Sequence, residues 1–494
     1  MPSLTTSQHR TSRLRQRMGL SAVLATLLSG CATFSPDGGF APIAQTARQH
    51  LGQATQWARS ESDLRLIEQR VTELLAAPMT TETALQIALL NNRNLQARYQ
   101  ALGIAEAELV QASRWPNPRL GLTRLVRGGE VEIERSLGFD LGHLITLPLR
   151  REMATRQLAA TQHSVTMDML ALADQVRKAQ VMALADEQSL AYLRQVKQAA
   201  DAGAELARRM ALAGNWTALQ QAREHGFYAQ ATLALARGEQ QRTRSREQLI
   251  RLLGLWGAQT QFTLPERLPD LPNLPNQPTD QPDIEQRAMA QRLDVAAAKQ
   301  QLDDLAHSLG LSRVAGLANA LEAGVQRNTS NAQPTQRAWQ IGFEIPLFDS
   351  GDARQAKAQA QYQQAVHSAA QLAVNARSEV REAYLGYRSA YDIARHYRDD
   401  MVPAAQRVMD ENLLRYNGML IGVFELLAER RAQIATVNAA IDALRDFWLA
   451  QADLDRALLG KPSAGGMLMS PGMSAGGTAA GVATGASTGA APAH

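Results

Sequence analysis

The chain lacks most of what holds a small secreted fold or a catalytic centre together. It has one cysteine in 494 residues, which excludes an intramolecular disulfide. Only 5% of its residues are aromatic although 45% are hydrophobic, a balance that favours extended helix over a compact aromatic core. The histidines form no His-Glu-x-x-His pattern and have no cysteine companions, so the usual zinc spacings are missing. His225, His307, His367 and His396 read instead as helix-surface residues. There is no glycine-rich phosphate loop, no Gly-x-Ser-x-Gly elbow and no isolated carboxylate pair, so neither enzyme chemistry nor a cofactor is expected. A basic surplus is also missing, despite a pI of 9.3. Residues 1–30 hold Arg10, Arg13, Arg15 and Arg17 and no acid; without those four, 47 basic residues face 47 acidic ones. A neutral remainder has no excess charge for phosphates, and nucleic acid is excluded as a partner.

Long apolar runs are absent as well. The longest, Met18 to Leu28, is short of the roughly 20 residues that span a bilayer, so a membrane crossing would require a closed barrel. That run follows the basic stretch and precedes Ser29, Gly30 and Cys31, the layout of a secretory signal over 1–30. Leu28-Ser29-Gly30-Cys31 resembles the bacterial lipoprotein box, which implies a lipidated Cys31 at the mature N-terminus. Ala32 stands where an aspartate would resemble an inner-membrane retention signal, so delivery to outer-membrane lipid is expected. Residues 31–79 read as an extended and helical N-terminal segment.

Beyond it, one ordered set of landmarks occurs twice. The first, 80–264, runs from Ala84-Leu85-x-Ile87-Ala88-Leu89 through Trp115-Pro116-Asn117-Pro118 to an alternating segment ending Leu147-Pro148-Leu149. A long helical stretch then breaks at Ala213-Gly214-Asn215, and a last helix ends Leu252-Leu253-Gly254. The second, 283–460, opens with Ile284-Glu285-x-x-Ala288 and Leu293, ends its alternating segment at Ile345-Pro346-Leu347, breaks at Asn417-Gly418 and closes on Leu458-Leu459-Gly460. Between them, 265–282 is a proline-rich connector that is neither helix nor central strand. The Gly/Ala/Met tail, 461–494, buries too little to fold and reads as disordered; Met467, Met469 and Met473 offer at most a soft-metal contact.

After Pro148 the only glycine before the 214 break is Gly203, and Met169, Leu172, Val176, Ala179 and Ala183 alternate three and four apart, as in a coiled-coil seam. The last helix repeats this with Ile434, Val437, Ile441, Leu444, Trp448 and Gln451. Pro403 is expected to kink or end the second long stretch. Alternation over Leu137–Leu147 and Ile341–Leu347, with partners near Leu120–Val126 and Val314–Arg327, predicts two strand pairs. Four strands cannot close a membrane barrel, whose smallest forms have about eight, so closure would need several chains.

Taken with the signal and lipobox, these landmarks over Thr80–Gly460 resemble the TolC-like outer-membrane efflux protein family, most specifically at Arg415-Tyr416-Asn417-Gly418 and at Ile345-Pro346-Leu347-Phe348-Asp349-Ser350-Gly351. The resemblance implies a mainly α fold with membrane β: antiparallel coiled-coil helices forming a periplasmic tunnel, and four strands per chain in a shared trimeric 12-stranded barrel. It further implies a homotrimer that conducts substrates passively, with a periplasmic adaptor and an inner-membrane transporter of the RND (resistance-nodulation-division) or ABC type as partners. The turns at Gly214 and Gly418 would form the periplasmic tip, where glycine suits a left-handed helix reversal. Some family members carry paired aspartates after the second tip glycine. Here the segment is apolar, leaving Leu420 or Phe424 to close the pore, and Glu425 as either a lone ring charge or a solvated helix residue. The competing readings are a pore-less structural coiled-coil lipoprotein of the periplasm, which predicts no alternating segments, and a soluble enzyme with helical arms.

Overall fold

A computed structural model describes residues 33–272, 283–318, 321–342 and 351–460, with the side chains of 308–318 left aside. Cys31 and the signal, the connector beyond 272, the 345–350 passage and the C-terminal tail lie outside the described residues.

An N-terminal arm comes first: α1 (Ala41–Thr46), a π turn over Ala47–Leu51, and α2 (Glu61–Leu75). Two sets of elements follow in the same order. The first is α3 (Thr81–Asn91), α4 (Arg93–Ala112), β1 (Arg119–Arg127), β2 (Glu130–Asp140), α5 (Leu141–Leu212) and α6 (Ala218–Leu253). The second is α7 (Ile284–Gln291), α8 (Leu293–Ala318), β3 (Glu322–Ser330), β4 (Gln336–Gly342), α9 (Asp352–His396), α10 (Val402–Asn417) and α11 (Val423–Leu459). A π turn over Tyr397–Met401 joins α9 to α10. Pro403 sits at the start of α10, where its missing N–H and its ring are absorbed by that wider turn.

Helix α5 has 72 residues, roughly 110 Å at 1.5 Å per residue, and only another element of similar length can cover it. It folds back on α6 and lies along α11. The expected seam is its buried face: Met169 and Val176 are inaccessible, with Leu172, Ala179 and Ala183 buried beside them. On α11 the most buried face is turned slightly from the expected one, through Ile434, Ile441, Ala443, Phe447 and Leu454. The main core joins α3, α4, α5, the end of α6 and the arm, through Ile43, Trp57, Val71, Leu89, Tyr99 and Leu249.

The first alternating segment ends earlier than its pattern suggests. β2 stops at Asp140, and residues 141–147 form the opening turns of α5. Asp140 accounts for the switch, because its carboxylate accepts the His143 N–H at 2.8 Å and caps the helix. Leu141, Ile145 and Leu147 fit alternation, and together with Leu144 they fit helical spacing as well, so periodicity did not separate the two. Pro148 therefore lies inside α5, where it removes one bond to the Leu144 carbonyl. In the second set, helix α8 runs through Val314 to Ala318, and β3 begins only at Glu322. β4 ends at Gly342, and Ile345–Leu347 falls outside the described residues.

The four strands form one antiparallel sheet in the order β1-β2-β3-β4. Three registers fix its faces: Leu120 opposite Leu137, Leu137 opposite Val325, and Val325 opposite Trp339. The outer edges of β1 and β4 have no partner among the described residues.

Both Leu-Leu-Gly endings have a structural reason. In the first set Asn91 and Asn92 stand at the α3–α4 break and donate to the carbonyls of Leu253 (3.1 Å), Gly254 (2.8 Å) and Leu252 (2.7 Å), closing the end of α6. Gly254 has φ +69°, and a Cβ there would stand 2.8 Å from the Asn91 carbonyl oxygen. In the second set Arg292 occupies the α7–α8 break and donates to the Ala457 carbonyl at 3.0 Å, closing α11. A Cβ on Gly460 would meet Asp294 at 2.6 Å.

Candidate functional site

Two regions carry the functional expectations, the helix-reversal turns and the sheet. At the first turn α5 is capped by Ala213, Gly214 adopts φ +75°, and Thr217 caps α6 in a capping box with Gln220. The second turn differs from expectation. Gly418 is at φ −78°, an ordinary right-handed value, and the left-handed residue is Met419 at φ +57°. The chain reverses one residue later than its glycine, with the Leu420 N–H bonded to the Arg415 carbonyl at 2.8 Å. A side chain other than glycine is thus held in the strained region.

The two turns lie side by side. Phe424, in the first turn of α11, meets the Trp216 ring edge-on at 6.3 Å, and the Arg223 and Arg431 guanidiniums approach it at 5.7 and 5.9 Å. Arg431 also pairs at 2.8 Å with Glu224, which is 2% exposed and faces the close-packed Gly203 of α5. Phe424 is therefore half-buried within one protomer, fastening the hairpins together. Leu420 and Met419, at 77% and 93% exposure, project outward. Glu425 is exposed and forms no ion pair among the described residues. Near the end of α5, Arg208 and then Arg209 hydrogen-bond the Glu205 carboxylate and hold its pKa down at about 2.

Further along the hairpins a charged seam ties α5 to α11. Asp174 accepts from Lys178 and, at 2.9 Å, from Arg456; Lys178 reaches across to Asp453 at 2.5 Å. Burial pushes the neighbouring Asp455 carboxyl up, opposed by Arg177. Sequence reasoning found none of these pairs, because helix-surface charges in one sequence give no hint of which ones meet across a seam.

In the sheet, register sorts the side chains by face, with Leu125 the one large apolar residue on the polar side. One face carries Leu120, Val126, Val131, Ile133, Leu137, Phe139, Val325, Trp339 and Ile341; the other is small or polar, with Gly121, Ser136, Gly138, Gln326 and Ala338. Trp339 and Leu120 are 77% and 82% exposed, unusual for apolar residues on a soluble sheet. No described helix is long and apolar enough to cross a membrane. No group of metal-ligating side chains occurs among the described residues.

No protein-family model matches the sequence, and no curated protein matches it. Solved structures do. The CmeC outer-membrane channel of Campylobacter jejuni aligns with TM-score 0.60 and 12% identity, over 83% of this chain and 90% of that one. The outer-membrane protein VceC of Vibrio cholerae aligns with TM-score 0.60 and 14% identity, over 81% and 97%. The open-state MtrE outer-membrane channel of Neisseria gonorrhoeae aligns with TM-score 0.56 and 19% identity, over 77% and 89%. The fold is that of the TolC-like outer-membrane channels: long helical hairpins joined to a four-stranded antiparallel sheet.

Proposed function

We propose that this chain is the outer-membrane channel of an export system, closing a barrel with two further copies of itself and conducting substrates passively. The observation that supports this most is the sheet. It has four strands, two edges without a partner among the described residues and an exposed apolar face, a combination that water does not stabilise and that a shared barrel in lipid does. A pore-less coiled-coil lipoprotein leaves that face without a role. The helical hairpins would then line a periplasmic tunnel, with a periplasmic adaptor and an inner-membrane transporter of the RND or ABC type supplying substrate and energy. The channel fold favours a conduit over an enzyme.

At the tip, the turns at Gly214 and Gly418 would form the pore mouth. The exposed Leu420 and Glu425 suit a lining role, while Phe424 holds the hairpins in place from within the protomer. Cys31 would carry the lipid that anchors the chain to the outer membrane; palmitate label should be lost in Cys31→Ser and retained in the native chain. The channel itself is tested by reconstituting the purified protein in planar bilayers. We expect a heat-resistant trimer with discrete conductance steps. Protein that stays monomeric and silent would overturn the reading.

A further inference from the structure

Charge on the sheet is divided between its faces as sharply as hydropathy is. Every carboxylate of the four strands (Glu130, Glu132, Glu134, Asp140 and Glu322) falls on the small, polar face. The apolar face carries Arg124, Arg135, Arg327 and Arg337 and no acid. Three of these make one row, because Arg135 is opposite Arg327 and Arg327 is opposite Arg337. All four are exposed. The ion pair Arg119–Glu322, at 2.8 Å, belongs to the other face, and Arg135 has a hydroxyl partner, Thr329 Oγ1 at 3.3 Å.

Adjacent cations in a row repel one another, and cross-strand like charges destabilise a sheet unless something neutralises them. The next row towards the helices is wholly apolar: Leu120, Leu137, Val325 and Trp339. Rows on one face are about 7 Å apart, within the reach of an arginine side chain. The two rows together line a groove of about 440 Å³. Its floor suits a hydrocarbon chain, and its rim offers guanidinium forks suited to phosphate oxygens.

From this juxtaposition we propose that the arginine row and the apolar row bind a phosphate-bearing lipid of the outer leaflet, phosphate on Arg135, Arg327 and Arg337 and acyl chain along Leu120–Trp339. The proposal rests on the barrel reading, since the face must be turned to lipid and the hairpin ends, away from the helices, must lie outside. Arg124 stands one row nearer the hairpin end and adds a fourth charge at the headgroup level. Three protomers would carry three such sites around the barrel.

The test uses the full-length trimer in phosphatidylcholine nanodiscs, titrated with bisphosphorylated lipid A, with its dephosphorylated form, and with inorganic phosphate. The native trimer should bind lipid A, at least about tenfold more tightly than the triple variant R135Q/R327Q/R337Q. Trp339 fluorescence should shift on binding, and the dephosphorylated lipid should bind as weakly as lipid A binds the variant. Conductance of the variant, measured in parallel, reports whether its barrel is intact. Equal affinity of native and conducting variant trimers for lipid A would overturn the proposal and leave the channel standing. Inorganic phosphate displacing lipid A at equal concentration would overturn it in favour of a free-anion site. Failure of the native chain to trimerise and conduct would overturn the channel and the lipid site together.

Discussion

At the residue scale the most consequential side chain is Arg292. It is 2% exposed, in a position where a positive charge persists only when paired. Its guanidinium forks onto Asp294 at 2.6 and 3.0 Å, onto Glu379 at 3.1 and 3.2 Å, and onto the Ala457 carbonyl. Replacing it with Met removes the charge and the fork together and takes from the buried Asp294 its two guanidinium bonds. We expect Arg292→Met to cost about 3–5 kcal/mol, read as a drop in the thermal midpoint of the purified protein. Arg292→Lys should recover only part of that, because an ammonium cannot reproduce the bidentate contact to Asp294 together with the two bonds to one Glu379 oxygen. A midpoint unchanged in Arg292→Met would refute the role. Nothing in the sequence marks this arginine among its many neighbours. Its counterpart, Asn92, is a different residue type performing the same closure of a helix end, so the internal repeat gave no hint. Gly254 and Gly460 were legible as landmarks, and their reason appears only when Asn91 and Asp294 are seen beneath them.

At the level of elements, the reversal turns show how far glycine can be trusted as a marker. Both breaks fall where Gly214 and Gly418 suggest, since a helix hairpin needs a residue that leaves the right-handed region. Only at the first is the glycine that residue. Gly214→Ala should destabilise by about 1–2 kcal/mol, the cost of placing a Cβ at φ +75°. Gly418→Ala should be near neutral, because its φ is ordinary and its new methyl would meet nothing closer than 3.5 Å. Met419→Gly should stabilise by up to about 1 kcal/mol, as strain at φ +57° is relieved. Thermal melts of the three variants decide this, and equal effects at Gly214 and Gly418 would contradict it. The long helices were legible for a plain reason: a seam repeated over many turns overwhelms local ambiguity. The strand-to-helix passage at Asp140 was not, because seven apolar-rich residues serve either period and a single capping carboxylate decides between them. The pairing of Arg431 with Glu224, and of Phe424 with Trp216, depends on the docking of two hairpins about 200 residues apart.

For the whole molecule, the barrel reading makes one protomer an incomplete object. Its helices bury a series of apolar clusters, but its sheet has two edges without a partner among the described residues and turns an apolar face outward. Composition foreshadowed this, since alanine-rich seams contribute little burial per contact and call for company. What no single sequence states is how many copies close the barrel. Four strands per chain with a lower limit near eight for closure require more than one, and the proposed shared barrel takes three. The most direct measurement is a disulfide cross-linking panel between edges. Single cysteines along β1 (Arg119–Arg127) are combined with single cysteines along β4 (Gln336–Gly342) in a Cys31→Ser background. Neighbouring strands bring Cα atoms to about 4.5–5.5 Å, within disulfide reach. The account predicts that matched pairs, oxidised in outer membranes, yield a ladder of one, two and three chains that stops at three. A ladder running past three, or no linked product from any pair in folded protein, would contradict it.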